Sequence, residues 1–218
     1  MNAYQTLLPV HFLFALVVWC DAGKPLAATV ADFTNSVIAI DSTGTDSVDA
    51  VGSFSLGTQF SLDKEVLVDG LGYFDVDSDG LSQSHAVGIF AINGELRVGP
   101  LSISSGSVLR ESQSEAGDWR FEALLTPVSL LPGDYVIAGY TGGGLDDSVG
   151  EGERISVPGV GVAQGRRFQA SRSLEYPGRT TAQPYLTASF SVVIPEPCGL
   201  CFACSSLLLA CFRTRTGR

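Results

Sequence analysis

The sequence predicts an all-β fold, an antiparallel β-sandwich, flanked by an N-terminal signal helix and a C-terminal apolar helix. Three observations predict it. Between residues 29 and 194 the apolar residues fall in short runs of 4 to 9, separated by Gly, Ser, Thr, Asp and Pro, as strands joined by turns require. Some runs alternate with period two, as in Phe54, Leu56, Thr58, Phe60, Leu62 and in Leu186, Ala188, Phe190, Val192, the spacing of a strand with one buried face. Glycine, at 25 residues, stands above the roughly 7% of average usage, and helix signals are nearly missing.

The expected strands, in order, are 37–40, 52–62, 66–74, 86–92, 96–103, 119–124, 128–131, 135–140, 154–157 and 185–193. Asn93-Gly94 falls between two of them and signals a type I′ hairpin, a turn whose two central residues both need positive φ. Pro132-Gly133-Asp134 links the next pair,. No fixed-period repeat, heptad or Pro/Ser-rich linker interrupts the body, so one sandwich accounts for it. The glycines at 142–144 and at 159, 161 and 165 lack the strand-then-helix setting of a phosphate cradle and read as loops,.

Composition narrows the class further. A chain of 218 residues holds one ordinary domain plus targeting segments,. With 45% hydrophobic and 17% charged residues it can bury a core and is no disordered polyelectrolyte. Residues 29–194 carry 21 acids and 9 bases, a net of −12, and Arg166-Arg167 is their only adjacent basic pair. Nucleic acid is excluded as a partner, because phosphate binding draws on a basic stripe. Cysteine occurs only at 20, 198, 201, 204 and 211, so the body has no disulfide, thiol nucleophile or thiolate metal site.

Both ends read as handles. Residues 7–20 are 14 almost wholly apolar positions, short of the roughly 20 that span a bilayer but matched to a signal-peptide core. Small residues follow, and cleavage fits after Ala22 or at Ala27-Ala28, giving a signal peptide over 1–28. No Lys or Arg precedes the apolar core, Pro9 and His11 interrupt it, and Trp19 disfavours lipidation of Cys20. At the other end Pro195, Glu196 and Pro197 precede 15 mostly apolar residues, 198–212, and then Arg213, Arg215 and Arg218. The prolines enforce an extended stop, the apolar run partitions into lipid, and the arginines hold the last residues on the cytoplasmic side. A helix of this length covers about 22 Å of a roughly 30 Å hydrocarbon core, so it fits a temporary handle better than a permanent anchor. Cys198, Cys201 and Cys204 lie on that apolar helix, where cysteine behaves as a small hydrophobe instead of a cluster ligand.

The three-part tail, 195–218, resembles the PEP-CTERM sorting signal of Gram-negative-type bacteria. The resemblance implies export through the Sec translocon, transient membrane insertion by the C-terminal helix, and cleavage near the motif by an exosortase. The implied destination is the cell envelope or extracellular matrix, in company with exopolysaccharide or another surface glycan. The apolar run is short and rich in cysteine for that family, and the arginines are spaced instead of clustered. A second resemblance covers roughly 54–141. It rests on Leu56-Gly57 with Phe60, the run 66–74, an Asp-rich loop, the run 87–91 with Asn93-Gly94, Trp119-Arg120-Phe121, Pro127-Val128 with Leu130, and Gly133 with the run 135–138. This order is similar to a β-sandwich domain of unknown function found in exported bacterial surface proteins, many ending in the same tail. It implies a jelly-roll sandwich of the carbohydrate-binding kind between 29 and 194 and carries no catalytic residue. Residues 145–180 depart from it.

Four constellations could carry chemistry. Asp75, Asp77, Asp79 and Gly80 spell the opening of a calcium loop, in which alternate carboxylates converge and glycine permits the sharp turn,. The twelfth position is Ala86 where an EF-hand has Glu, which leaves a solvated turn or a calcium site completed by carbonyls, Gln83, Asp69 or Glu95. His85, the sole histidine of the body, is expected at a strand edge, and no G-x-S-x-G elbow supports a triad,. Asp146, Asp147, Glu151 and Glu153 could supply a glycosidase pair but sit in a Gly/Ser-rich stretch,. Trp119, Tyr73, Tyr135, Tyr140, Tyr176 and Tyr185 suit either a sugar-stacking platform or the core, and only Tyr176, beside Pro177, is clearly loop-borne,. The leading expectation is a non-enzymatic structural or adhesive surface protein. A carbohydrate-binding module, with or without calcium, comes second, and a secreted hydrolase third.

Overall fold

The structure, a computed structural model, describes residues 33, 35–45, 47–48, 52–143, 148–149, 153–182 and 185–193. Both expected terminal helices and the sorting residues Pro195, Glu196, Pro197, Arg213, Arg215 and Arg218 lie outside them. Every element among the described residues is a strand: β1 (Ser36–Ile38), β2 (Ile40–Ser42), β3 (Ser47–Val48), β4 (Phe54–Leu62), β5 (Val66–Val76), β6 (His85–Ala91), β7 (Leu96–Ile103), β8 (Val108–Arg110), β9 (Gly117–Leu130), β10 (Gly133–Tyr140), β11 (Ser148–Val149), β12 (Arg154–Ser156), β13 (Val160–Ala170), β14 (Arg179–Thr181) and β15 (Ala188–Val193). They form a five-stranded sheet, β1-β15-β5-β9-β8, a six-stranded sheet, β14-β13-β4-β10-β6-β7, and two small ribbons, β11-β3 and β12-β2. All pairings are antiparallel.

The alternation in β4 does what its period demands. Phe60 and Leu62 point between the sheets into a core that takes Leu71 and Tyr73 from β5, Val87 and Ile89 from β6, Ile137 from β10 and Phe190 from β15. Phe60 meets Phe190 across the gap at 4.8 Å between ring centroids, and Tyr73 stacks on His85 at 3.9 Å.

The outer faces are covered as well. On the five-stranded sheet, small residues at Gly70, Gly72, Ser189 and Ser191 leave room for Phe121 and for the arm 33–45. A Cβ at Gly70 would lie 2.6 Å from Phe33, and one at Gly72 would lie 2.7 Å from Phe121. Phe33 packs edge-on against Phe121, Ala39 N–H donates to the Phe190 carbonyl, and Ser189 Oγ donates to the Ile40 carbonyl. On the six-stranded sheet a strap, residues 171–178, lies across Gly57 and Gly88. There Pro177 would be 2.8 Å from a Cβ on Gly57, and Leu174 would be 3.1 Å from one on Gly88. The Glu175 N–H donates to Ser55 Oγ, and the Tyr176 hydroxyl donates to the Ile92 carbonyl.

Several strands depart from expectation for identifiable reasons. The expected strands 119–124 and 128–131 merge into β9, which ends at Leu130: residues 124–127 bulge out opposite Asp69, leaving Leu125 at 95% exposure, and the ladder resumes at Val128. Residues 160–170, read as loop from their glycines, form β13. Gly159 and Gly165 take positive φ at its turn and its bulge, and the pairs Val162↔Phe60 and Arg166↔Thr58 flank the irregularity. The 92–95 hairpin exists but is not type I′. Only Gly94 has positive φ, with Gly94 N–H donating to the Ala91 carbonyl and Ala91 N–H to the Glu95 carbonyl, the pattern of a turn closed by one left-handed residue. The edge strand β7 carries Pro100 and two register shifts against β6, which blunt it against pairing with another chain.

Ser36 pairs with Val193, so the chain enters and leaves the described fold side by side. The turns 63–65, 92–95, 131–132 and 157–159 share that end, and the Asp75–Gly80 turn lies at the opposite one. A Gly57→Ala substitution should destabilise the domain by about 1 to 3 kcal/mol, because Pro177 and the Ile137 carbonyl leave no room for a methyl group,. Urea unfolding should show a lower midpoint at unchanged slope, with Gly106→Ala, whose Cβ would meet only Ser104 Oγ at 3.7 Å, close to wild type.

Candidate functional site

The Asp-rich motif folds into an ion-paired turn. Asp75 ends the buried part of β5 at 1% exposure. Its Oδ1 accepts from Gly80 N–H at 3.1 Å and its Oδ2 from Arg120 Nε at 2.7 Å. Asp77 and Ser78 take left-handed φ of 60° and 58°, and Ser78 Oγ donates to Asp118. Asp77 and Asp79 point to solvent. The other candidate ligands are engaged elsewhere: Gln83 donates to the Thr141 carbonyl, Asp69 accepts from Ser191, and Glu95 pairs with Arg97. Among the described residues no group of three or more His, Cys, Asp or Glu side chains is placed to hold a metal ion. A guanidinium, not a converging set of carboxylates, meets the Asp75 charge.

His85 is fully buried at the start of β6, its ring against Tyr73 and its Nδ1 2.9 Å from the Tyr140 carbonyl oxygen. It belongs to the core rather than to an exposed strand edge. Glu153 is exposed beside Thr43, while Asp146, Asp147 and Glu151 lie outside the described residues.

The aromatics are mostly spoken for. Trp119, Tyr73, Tyr135 and Tyr185 are buried, and the Tyr135 and Tyr185 hydroxyls donate to the Leu131 and Arg167 carbonyls. Burial holds the Tyr185 phenol above its ordinary range, with neighbouring Arg166 pulling the other way. Tyr140 ends β10, half-buried. Tyr176 is the loop residue expected, but its ring sits edge-on to Phe90 and receives Arg167, whose guanidinium also donates twice to Gln59. Arg166 donates to the Tyr185 carbonyl. The basic pair therefore works inside the domain.

The densest polar constellation is one that the sequence reading passed over. Asp41, 7% exposed at the middle of β2, accepts from Ser42 N–H at 2.8 Å, Ser112 Oγ at 2.7 Å, Gln113 N–H at 2.9 Å and Trp119 Nε1 at 2.9 Å. It ties the N-terminal arm, the segment after β8 and the largest buried ring to one carboxylate. Nearby, Arg110 lies 5.0 Å and 5.1 Å from the Phe33 and Phe121 ring centres and donates to the Ser36 carbonyl. Burial pulls its guanidinium below the ordinary value, and Asp69 acts in the opposite sense. A cleft of about 560 Å³ opens beside this cluster, with Val37, Ile38 and Ile155 as apolar lining and Arg110, Ser112 and Gln113 as polar lining. With four donors on its carboxylate, the cluster holds these segments together. The signal available in sequence was an acid directly following an apolar strand, Ile40-Asp41, because an acid in such a place must be satisfied by local donors.

No protein-family model, curated protein or solved structure matches this chain.

Asp41→Ala should cost about 2 to 4 kcal/mol, since it strands the buried Trp119 Nε1–H and two backbone N–H groups,. Arg120→Met should cost about 3 to 5 kcal/mol by leaving the Asp75 carboxylate buried beside no cation,. Chemical denaturation checks both. Hydrogen exchange should localise the Asp41→Ala loss to residues 112–116.

Proposed function

We propose that this chain is an exported, non-enzymatic surface or matrix protein with a structural or adhesive role. It is carried across by the Sec translocon and separated from its C-terminal handle by an exosortase. The observation that carries the reading is the tail: Pro195-Glu196-Pro197, the apolar run and the arginine tip follow in fixed order, two residues after the last strand ends at Val193. The body suits that role. It needs no disulfide, because an aromatic core between the sheets and covered outer faces supply the burial. We read the strand order as a jelly roll: β1, β15, β5 and β9 lie in one sheet and β4, β10, β6 and β7 in the other, with most connections crossing between them.

A glycan-binding role draws less support. Of the aromatic faces that would stack on a sugar, those of Trp119, Tyr73, Tyr135 and Tyr185 are buried and that of Tyr176 packs on Phe90, and Asp75 is committed to Arg120.

Intact-mass measurement and fractionation of the protein from its native host test the proposal. The expected result is loss of both terminal segments and recovery in the envelope or matrix fraction. Replacing Pro195, Glu196 and Pro197 by alanine should leave the tail attached and the protein in the membrane fraction. Recovery of the full 218-residue mass in the soluble cytoplasm would sink it.

A further inference from the structure

We propose that the end of the sandwich from which the tail departs is a bilayer-contact face, suited to a surface without net negative charge. The inference rests on the tail reading above and adds a surface to it. Strand β15 ends at Val193 and the apolar run begins at Cys198. Five residues of extended chain reach at most about 18 Å. With the run in lipid, this end cannot stand farther than that from the hydrocarbon boundary.

Several of the large apolar side chains that face solvent gather at this same end, although the most exposed, Leu125, stands on the β9 bulge. Leu67 on β5, Ile92 in the β6–β7 turn and Leu131 in the β9–β10 turn are 40%, 42% and 61% exposed. Val66 pairs with Leu130, both inward, so alternation puts Leu67 on the outer face, and the exposed Leu131 follows in the adjoining turn,. Beside them a mainly apolar cleft of about 670 Å³, with Val37, Leu67, Val157 and Val193 in its lining and the charged Lys64 and Glu65 among them, opens where the chain leaves. Exposed leucines at the end pinned against a bilayer would shed water into the headgroup region instead of remaining a liability.

The charges around this surface choose the lipid. Asp63, Glu65, Glu95 and Asp134 are exposed at these turns against Lys64 and Arg97. An acidic rim is repelled by anionic headgroups and tolerated by zwitterionic ones.

The test uses the full chain reconstituted into phosphatidylcholine vesicles with brominated acyl chains, comparing L131W with L109W. Leu109 is 45% exposed on β8, away from the tail end, and the native Trp19 and Trp119 are common to both proteins. Insertion of the tail is checked separately by resistance to alkaline carbonate. L131W should be quenched at least about twofold more strongly than L109W, as an interfacially seated side chain would be. Added phosphatidylglycerol should weaken that quenching. Equal quenching of both probes in a carbonate-resistant protein, or stronger quenching with anionic lipid, overturns the contact face while leaving the anchored tail intact. Extraction by carbonate overturns both.

Discussion

The fold depends on the meeting of two sheets at a handful of rings. Phe60 against Phe190 and Tyr73 against His85 connect strands from opposite layers, and there is no cysteine between residues 29 and 194 to substitute for them. Packing at close range must therefore hold the layers in register, and interiors at protein density leave little slack for that. The histidine is used here as a flat, polar-edged ring. It fills the space over Tyr73 while its nitrogen faces the carbonyl at the end of β10.

A sandwich of this size usually leaves one face of each sheet to water. Here each sheet carries a second layer, and in both cases the arrangement relies on residues that are small by necessity. Gly70, Gly72, Ser189 and Ser191 accept the arm, and Gly57 and Gly88 accept the strap. The arm is then fastened by a buried acid, Asp41, and the strap by the hydroxyls of Ser55 and Tyr176. What looked like glycine surplus in turns is in part a set of seats within strands.

This division explains what could be read in advance. The alternating runs of β4 and β15 declare their faces because one side is apolar and the other small or polar. The long strand β13 does not, since Gly161, Gly165, Arg166 and Arg167 break the alternation between Val160 and Val162, which join the main core, and Phe168, which packs with Leu56 and Tyr185 in a minor cluster. Asp75, Asp77 and Asp79 looked like converging ligands because spacing alone cannot show that Arg120, 45 residues away, reaches the first of them. The Asp41 cluster was hidden for the same reason: its donors come from residues 112, 113 and 119. Contacts local in sequence were legible, and those closed by long loops were not.

Strand β15 lies between β1 and β5, although it is the last strand described. A chain emerging from its N-terminus must hold β1, at Ser36, without a ladder partner until Val193 arrives. Closing so long a loop is among the slowest events in assembling a sheet. The five-stranded sheet is therefore complete only once this final strand takes its place between β1 and β5.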